Sequence, residues 1–238
     1  MIFKLPLTGS IREKTFRWGF FVIGILLLSL GISLTIQARE VGIGPWDVLH
    51  YGLYSHLGLT IGSWAILVGL FIVAVSSIVM KSIPKIGTVI NMIFVGIFID
   101  LFNLLFTEPT TLWGCWVVLL IGIVISAFGI GIYVPSGIGA GPRDSLMLAL
   151  TRLTKLKVGT VRNGLEIIVA FIGWLLGGPL GLGTIVTALL LGTFVGYTLP
   201  FGQKLINELI KRGERDENIN KRKIRIDDYD RISKKAGS

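Results

Sequence analysis

The sequence predicts an all-α, polytopic membrane protein: six transmembrane helices in two inverted three-helix repeats, each carrying a short broken or re-entrant helix. Three observations predict it. First, 52% of the 238 residues are apolar and only 16% are charged, giving a mean hydropathy of +0.77. Second, nearly uncharged runs of about 17–22 residues recur between Trp18 and Pro200, long enough to cross a hydrocarbon core of about 30 Å. Third, Gly42-Ile43-Gly44-Pro45-Trp46-Asp47-Val48-Leu49 returns 97 residues later as Gly139-Ala140-Gly141-Pro142-Arg143-Asp144-Ser145-Leu146.

Held at that offset, Gly42–Gly62 and Gly139–Gly159 agree at 8 of 21 positions. A second block, Gly87-Thr88-Val89-Ile90 through Phe98, returns 96 residues later as Gly183-Thr184-Ile185-Val186 through Phe194. The chain therefore reads as two copies of one unit. With three spans per copy, an odd number, the second copy lies upside down relative to the first. Repeats of that kind place functional sites at their interface.

The spans are expected at 18–37, 62–80 and 86–106 in the first copy. They are expected at 113–134, 160–177 and 183–200 in the second. Residues 1–17 form a cytoplasmic N-terminal segment, 18–106 the first membrane repeat, 113–200 the second, and 203–238 a basic, disordered cytoplasmic tail. The tail is rich in Lys, Arg, Asp, Glu and Asn, with too little apolar surface to offset ordering entropy. The first apolar run follows Lys4, Arg12, Lys14 and Arg17, but it is too long for a signal-peptide core and lacks a small-x-small cleavage site. It is read as an uncleaved span. Interior glycines such as Gly31, Gly96, Gly122 and Gly192 are read first as helix-packing sites.

Of the 23 Lys and Arg residues, 22 fall in alternate segments beginning with the N-terminus. That alternation predicts cytoplasmic N- and C-termini in a bacterial cell membrane. It also accounts for the pI near 9.9 without invoking nucleic acid. The expected surroundings are the lipid bilayer, with anionic lipids at the basic cytoplasmic face.

Between spans one and two lies the segment Pro45–Leu57, and between spans four and five its copy Pro142–Thr154. Proline suits the first turn of a helix, and an acid two positions later suits its dipole. Each segment predicts a helix of about 13 residues, too short to cross. It either lies on the surface or dips into the membrane, and re-entry is preferred.

The repeated acids Asp47 and Asp144 are the leading candidates for a cation, a proton or a cationic group of a solute. Capping of their own helix starts explains the repetition equally well and is the commoner use. Arg143, which replaces Trp46 in the second copy, would strengthen anion binding at a helix N-terminus. Asn91, Asp100 and Glu166 fall within spans, where ionisable groups mark functional sites by default. For Glu166 a local pair with Arg162 is the plain alternative. His50, three residues from Asp47, adds a proton-sensitive group. No ligand pattern for a metal, no cofactor motif and no nucleophile–base spacing is present, so no metal, cofactor, catalytic residue or enzyme activity is expected.

At these residues the chain resembles the YczE/YyaS/YitT family of bacterial integral membrane proteins, and the YczE branch above all. The carriers are Gly42-Ile43-Gly44-Pro45-Trp46-Asp47-Val48, Leu59-Thr60-Ile61-Gly62-Ser63-Trp64, Gly87-Thr88-Val89-Ile90-Asn91 and Gly139-Ala140-Gly141-Pro142-Arg143-Asp144. The resemblance covers residues 15 to 202 and implies a cytoplasmic-membrane location, but no substrate or reaction. The function expected is a small-solute transporter or permease with its site between the repeats. The alternative is a non-transporting membrane scaffold or regulator acting through its cytoplasmic side. A polar cavity between the halves favours the first, and a dry glycine-packed interface the second. The sequence leaves the oligomeric state open.

Overall fold

The computed structural model describes residues 11–81, 84, 86–139, 141–156 and 158–236. Side chains are described as far as Lys211, except those of 144, 145, 148 and 158. Among the described residues every regular element is helical.

Helix α1 spans Ile11–Gln37. It begins earlier than hydropathy alone suggests because Arg17 and Glu13 pair one turn apart at 2.8 Å and extend it. A single 3-10 turn, Arg39–Val41, leads through Gly42 to α2, Pro45–Leu57. Helix α3, Ile61–Met80, starts where the Thr60 hydroxyl accepts from the Ser63 amide at 3.1 Å. After α4, Ile86–Leu105, the Thr111 hydroxyl plays the same part for α5, Leu112–Tyr133, by accepting from Gly114 N at 3.1 Å. A second 3-10 turn, Val134–Ser136, precedes α6, Pro142–Thr154, then α7, Val158–Leu175, and α8, Leu182–Ala236. Both short helices thus occupy the stretches that proline and the first-turn acid mark out.

Five helices among the described residues are long and apolar enough to cross a membrane: α1, α3, α4, α5 with the turn after it, and α8 as far as Lys211. Helix α7 is 18 residues long and carries Arg162 and Glu166 in its first half. The expectation of a disordered tail at 203–238 falls mostly outside the residues with described side chains. The helical backbone of α8 runs on to Ala236.

The molecule is apolar outside and partly polar inside, as a bilayer solvent requires. Mid-helix Leu70, Phe71, Ile97, Phe171 and Leu189 are exposed, whereas Ser29, Ser33, Thr88, Ser126 and Thr187 are buried. Two of these hydroxyls are satisfied by their own helices, Ser29 donating to the Ile25 carbonyl at 2.9 Å and Thr187 to Gly183 at 2.7 Å, while Ser33 donates across to Asn103 Oδ1 at 2.7 Å.

Helices α1 and α5, corresponding helices of the two copies, pack on each other more extensively than any other pair. They run antiparallel. Gly24 lies against Tyr133, Gly31 against Ser126 and Gly122, and Gly122 in turn against Thr35, so rising numbers in α1 meet falling numbers in α5. A Cβ at Gly31 would come within 2.6 Å of the Gly122 carbonyl oxygen. Glycine at the crossing therefore sets how closely the two backbones approach. Around this central pair, α4 packs on α1 and α8 on α5, while α2 packs on α7 and α6 on α3. The packing of α4 on α1 thus matches that of α8 on α5, and α2 on α7 matches α6 on α3, whereas α3 packs on α4 with no comparable contact between α7 and α8 among the described residues.

Candidate functional site

Gly42, Ile43, Gly44 and Pro45 are buried, as are Gly139 and Gly141 of the second Gly-x-Gly-Pro segment. Gly42, at φ 98°, packs against Gly181 and Thr184 at the start of α8, and Gly139 packs against Gly87 and Thr88 at the start of α4. These are the two repeated sequence blocks, each meeting the other copy's partner block. At Gly42 both the left-handed backbone and the neighbour exclude a side chain, since a Cβ would lie 2.7 Å from Gly181 Cα. With their entry loops held this way, α2 and α6 begin inside the protein. Helix α2 has a buried first turn, whereas Ser55, His56 and Leu57 at its far end are exposed.

Both helix starts, Gly44-Pro45 and Gly141-Pro142, open on one cavity of about 380 Å³ between the copies. That is room for about a dozen waters at roughly 30 Å³ each. Its walls are mainly apolar, and Trp46, Asp47, His50, Asn91, Arg143, Arg162 and Glu166 are among the polar or aromatic residues that line it.

Asp47, His50 and Asn91 are at most 5% exposed. Asp47 Oδ1, His50 Nδ1 and Asn91 Nδ2 are all buried without a hydrogen-bond partner. His50 Nδ1 stands 3.5 Å from Asp47 Oδ1, and Arg143 Nη2 stands 3.6 Å from the same oxygen. The Arg143 guanidinium lies over the Trp46 ring, 5.1 Å from its centroid. Capping, the commoner use of such an acid, does not satisfy Asp47 Oδ1. An orphaned buried polar atom costs about 1–3 kcal/mol, and these three belong to residues that line one cavity.

Glu166 accepts from Arg162 Nε at 3.1 Å, one turn away, so the plain local pair is formed. Both residues of that pair nevertheless line the cavity. Asp100 is elsewhere. Its carboxylate accepts from the Gly62 amide at 2.8 Å and from the Thr60 hydroxyl at 2.5 Å, which holds the start of α3. It faces a second cavity of about 310 Å³. Asp144 lies on α6, but its side chain is outside the described residues.

Residues not singled out by the sequence line that second cavity. Arg39 pairs with Glu108 at 2.7 Å and donates to the Tyr51 hydroxyl at 2.7 Å. Asn103 Oδ1 accepts from Ser33 at 2.7 Å and from Gln37 Nε2 at 3.4 Å. The available signal was Arg39, the single cation in the segments that positive charge otherwise avoids. Ile32, Ile36 and Ile99 pack together as a buried layer. Ile32 and Ile99 face the first cavity and Ile36 the second. Among the described residues no three His, Cys, Asp or Glu side chains are grouped to hold a metal ion.

Residues 15–200 match the family described as "Family of unknown function (DUF6198)". The chain belongs to that family. It is 43% identical over 201 residues to the "Uncharacterized membrane protein YczE" of Bacillus subtilis (strain 168), covering 84% of this chain and 94% of that protein. To an "Uncharacterized protein" of Haemophilus influenzae it is 33% identical over 199 residues, 82% of this chain and 91% of the relative. To the "Uncharacterized protein YyaS" of Bacillus subtilis it is 31% identical over 202 residues, 83% and 99% of the two chains. No solved structure matches it. The DUF6198 chain is therefore a membrane protein of the YczE and YyaS kind, as the Gly-Pro-Trp-Asp and Gly-Pro-Arg-Asp pair indicated.

Proposed function

We propose that this protein is a small-solute transporter or permease, with no enzyme activity, whose site is the cavity between two inverted three-helix repeats. The observation that carries the reading is the set of three buried polar atoms without a hydrogen bond, on Asp47, His50 and Asn91 around that cavity. A dry scaffold interface has no reason to strand them. Inversion is supported by the antiparallel crossing of α1 on α5, since parallel repeats would bring corresponding helices together in parallel. The cavity's lining includes Arg162 and Glu166, near the start of α7, on the side that alternating charge assigns to the cytoplasm. The isoleucine layer closes the other side. In this reading both termini are cytoplasmic in a bacterial cell membrane, and the basic residues after Phe201 meet anionic head groups.

The test combines access with flux. In a Cys115→Ser background, membrane-impermeant thiol reagent should label Arg39→Cys and Thr110→Cys from outside, and Lys155→Cys only from inside. Thr187→Cys, on the cavity wall, should label from inside. Vesicles carrying the protein should then exchange at least one solute from a mixed pool of labelled amino acids, amines, organic acids and sugars. Labelling of Lys155→Cys from outside would overturn the inversion. A Thr187→Cys protein that labels from neither side, with no exchange, would return the protein to a scaffold role.

A further inference from the structure

We infer that the cavity takes a small zwitterion with an apolar body, its ammonium end on Asp47 and its carboxylate end on Arg143 and Asn91. This rests on the solute site proposed above and specifies its ligand. Asp47 and Arg143 come from the two different short helices and carry opposite charges 3.6 Å apart. That gap exceeds a good hydrogen bond, and Asp47 Oδ1 is left without a donor. The guanidinium is also engaged by the face of Trp46, where it sits 5.1 Å from the ring centroid.

A solute bearing only a positive charge would satisfy Asp47 but stand beside Arg143. One bearing only a negative charge would satisfy Arg143 but stand beside Asp47. With Asp47 only 5% exposed, either repulsion is stronger than it would be in open water. A zwitterion meets both charges and adds no net charge to a membrane-embedded site. Asn91 Nδ2 is a second donor in want of an acceptor, and helix N-termini favour the same carboxylate. Arg162 does not compete, because Glu166 already holds it at 3.1 Å. The rest of the lining, including Leu28, Ile32, Ile72, Met92, Val95 and Ile99, suits an aliphatic body.

Three probes isolate the charges: leucine, isoamylamine, which lacks the carboxylate, and 4-methylpentanoate, which lacks the amine. Titration calorimetry and melting curves on the purified full-length chain should show leucine binding at least tenfold more tightly than either of the others. Asp47→Asn should narrow the gap between leucine and 4-methylpentanoate. Arg143→Gln should narrow the gap between leucine and isoamylamine. The wild-type comparison decides even if a variant fails to fold. Equal binding of leucine and either single-charge probe overturns the inference, as does failure of all three to bind. If all three fail while Thr187→Cys labels and the mixed pool shows exchange of another solute, only the ligand class is wrong. If labelling and exchange fail as well, the transport reading falls with it.

Discussion

Arg143 stacks on Trp46, the residue that holds its own position in the other copy of the repeat, at 5.1 Å from the ring centroid. This contact joins the two short helices at their starts, beside the cavity that Asp47 also lines. The two starts are unequal: one contributes a flat aromatic face and the other a cation.

That inequality should be visible in stability. Arg143→Met removes the cation while Asp47 stays 5% exposed. Breaking a buried pair costs about 3–5 kcal/mol, and because Arg143 itself is 38% exposed the smaller figure of about 1–3 kcal/mol applies. Asp47→Asn in the Arg143→Met background should recover part of the loss. Melting of the two single variants and the double variant in detergent checks this, and strictly additive losses would separate the two residues.

Asp100 should behave differently from Asp47. Its carboxylate serves the Gly62 amide and the Thr60 hydroxyl, so Asp100→Ala should cost about 1–2 kcal/mol, the range for a lost helix cap. Solute exchange through the central cavity should survive in the variant that folds. Loss of exchange at unchanged melting temperature would move Asp100 into the transport path.

The glycines divide into two kinds. Gly31→Val should lower the melting temperature sharply, since even a Cβ there meets the Gly122 carbonyl oxygen at 2.6 Å. Gly196→Ala, with nothing within 4 Å, should be neutral or stabilise by up to about 1 kcal/mol through helix propensity. Equal losses for the two would contradict close packing of α1 on α5.

The isoleucine layer should act as a barrier. Ile99 is 1% exposed and packs with Ile32 and Ile36 between the two cavities. Ile99→Ala should cost about 2–5 kcal/mol as a core truncation. Ile99→Ser should in addition make vesicles leaky to small solutes without a gradient-dependent step. Vesicles that remain tight would mean that the two cavities are sealed elsewhere.

Much of this architecture was legible locally. Proline at a helix start, an acid two positions on and a bounded polar stretch identified Pro45–Leu57 and Pro142–Thr154, because cap and turn chemistry acts within a few residues. Hydropathy marked the long helices for the same reason, since the cost of exposing backbone to lipid falls on each segment separately. Charge extended α1 back to Ile11 through the Glu13–Arg17 pair, which a hydropathy reading passes over.

The sequence by itself therefore determined the membrane class, the two short helices and the family, all of which rest on near-neighbour physics or direct comparison of letters, whereas of the six spans expected five helices among the described residues are long and apolar enough to cross. Only the tertiary structure separated the acids. Asp47 and Asp100 look alike in one dimension, each an acid on a helix start or in an apolar span. Asp100 is satisfied by an amide 38 residues away, whereas Asp47 Oδ1 is left unpartnered 3.6 Å from an arginine 96 positions along the chain. Which partner a buried carboxylate finds depends on how glycine crossings bring distant helices together, and no local signal in the chain encodes that distance.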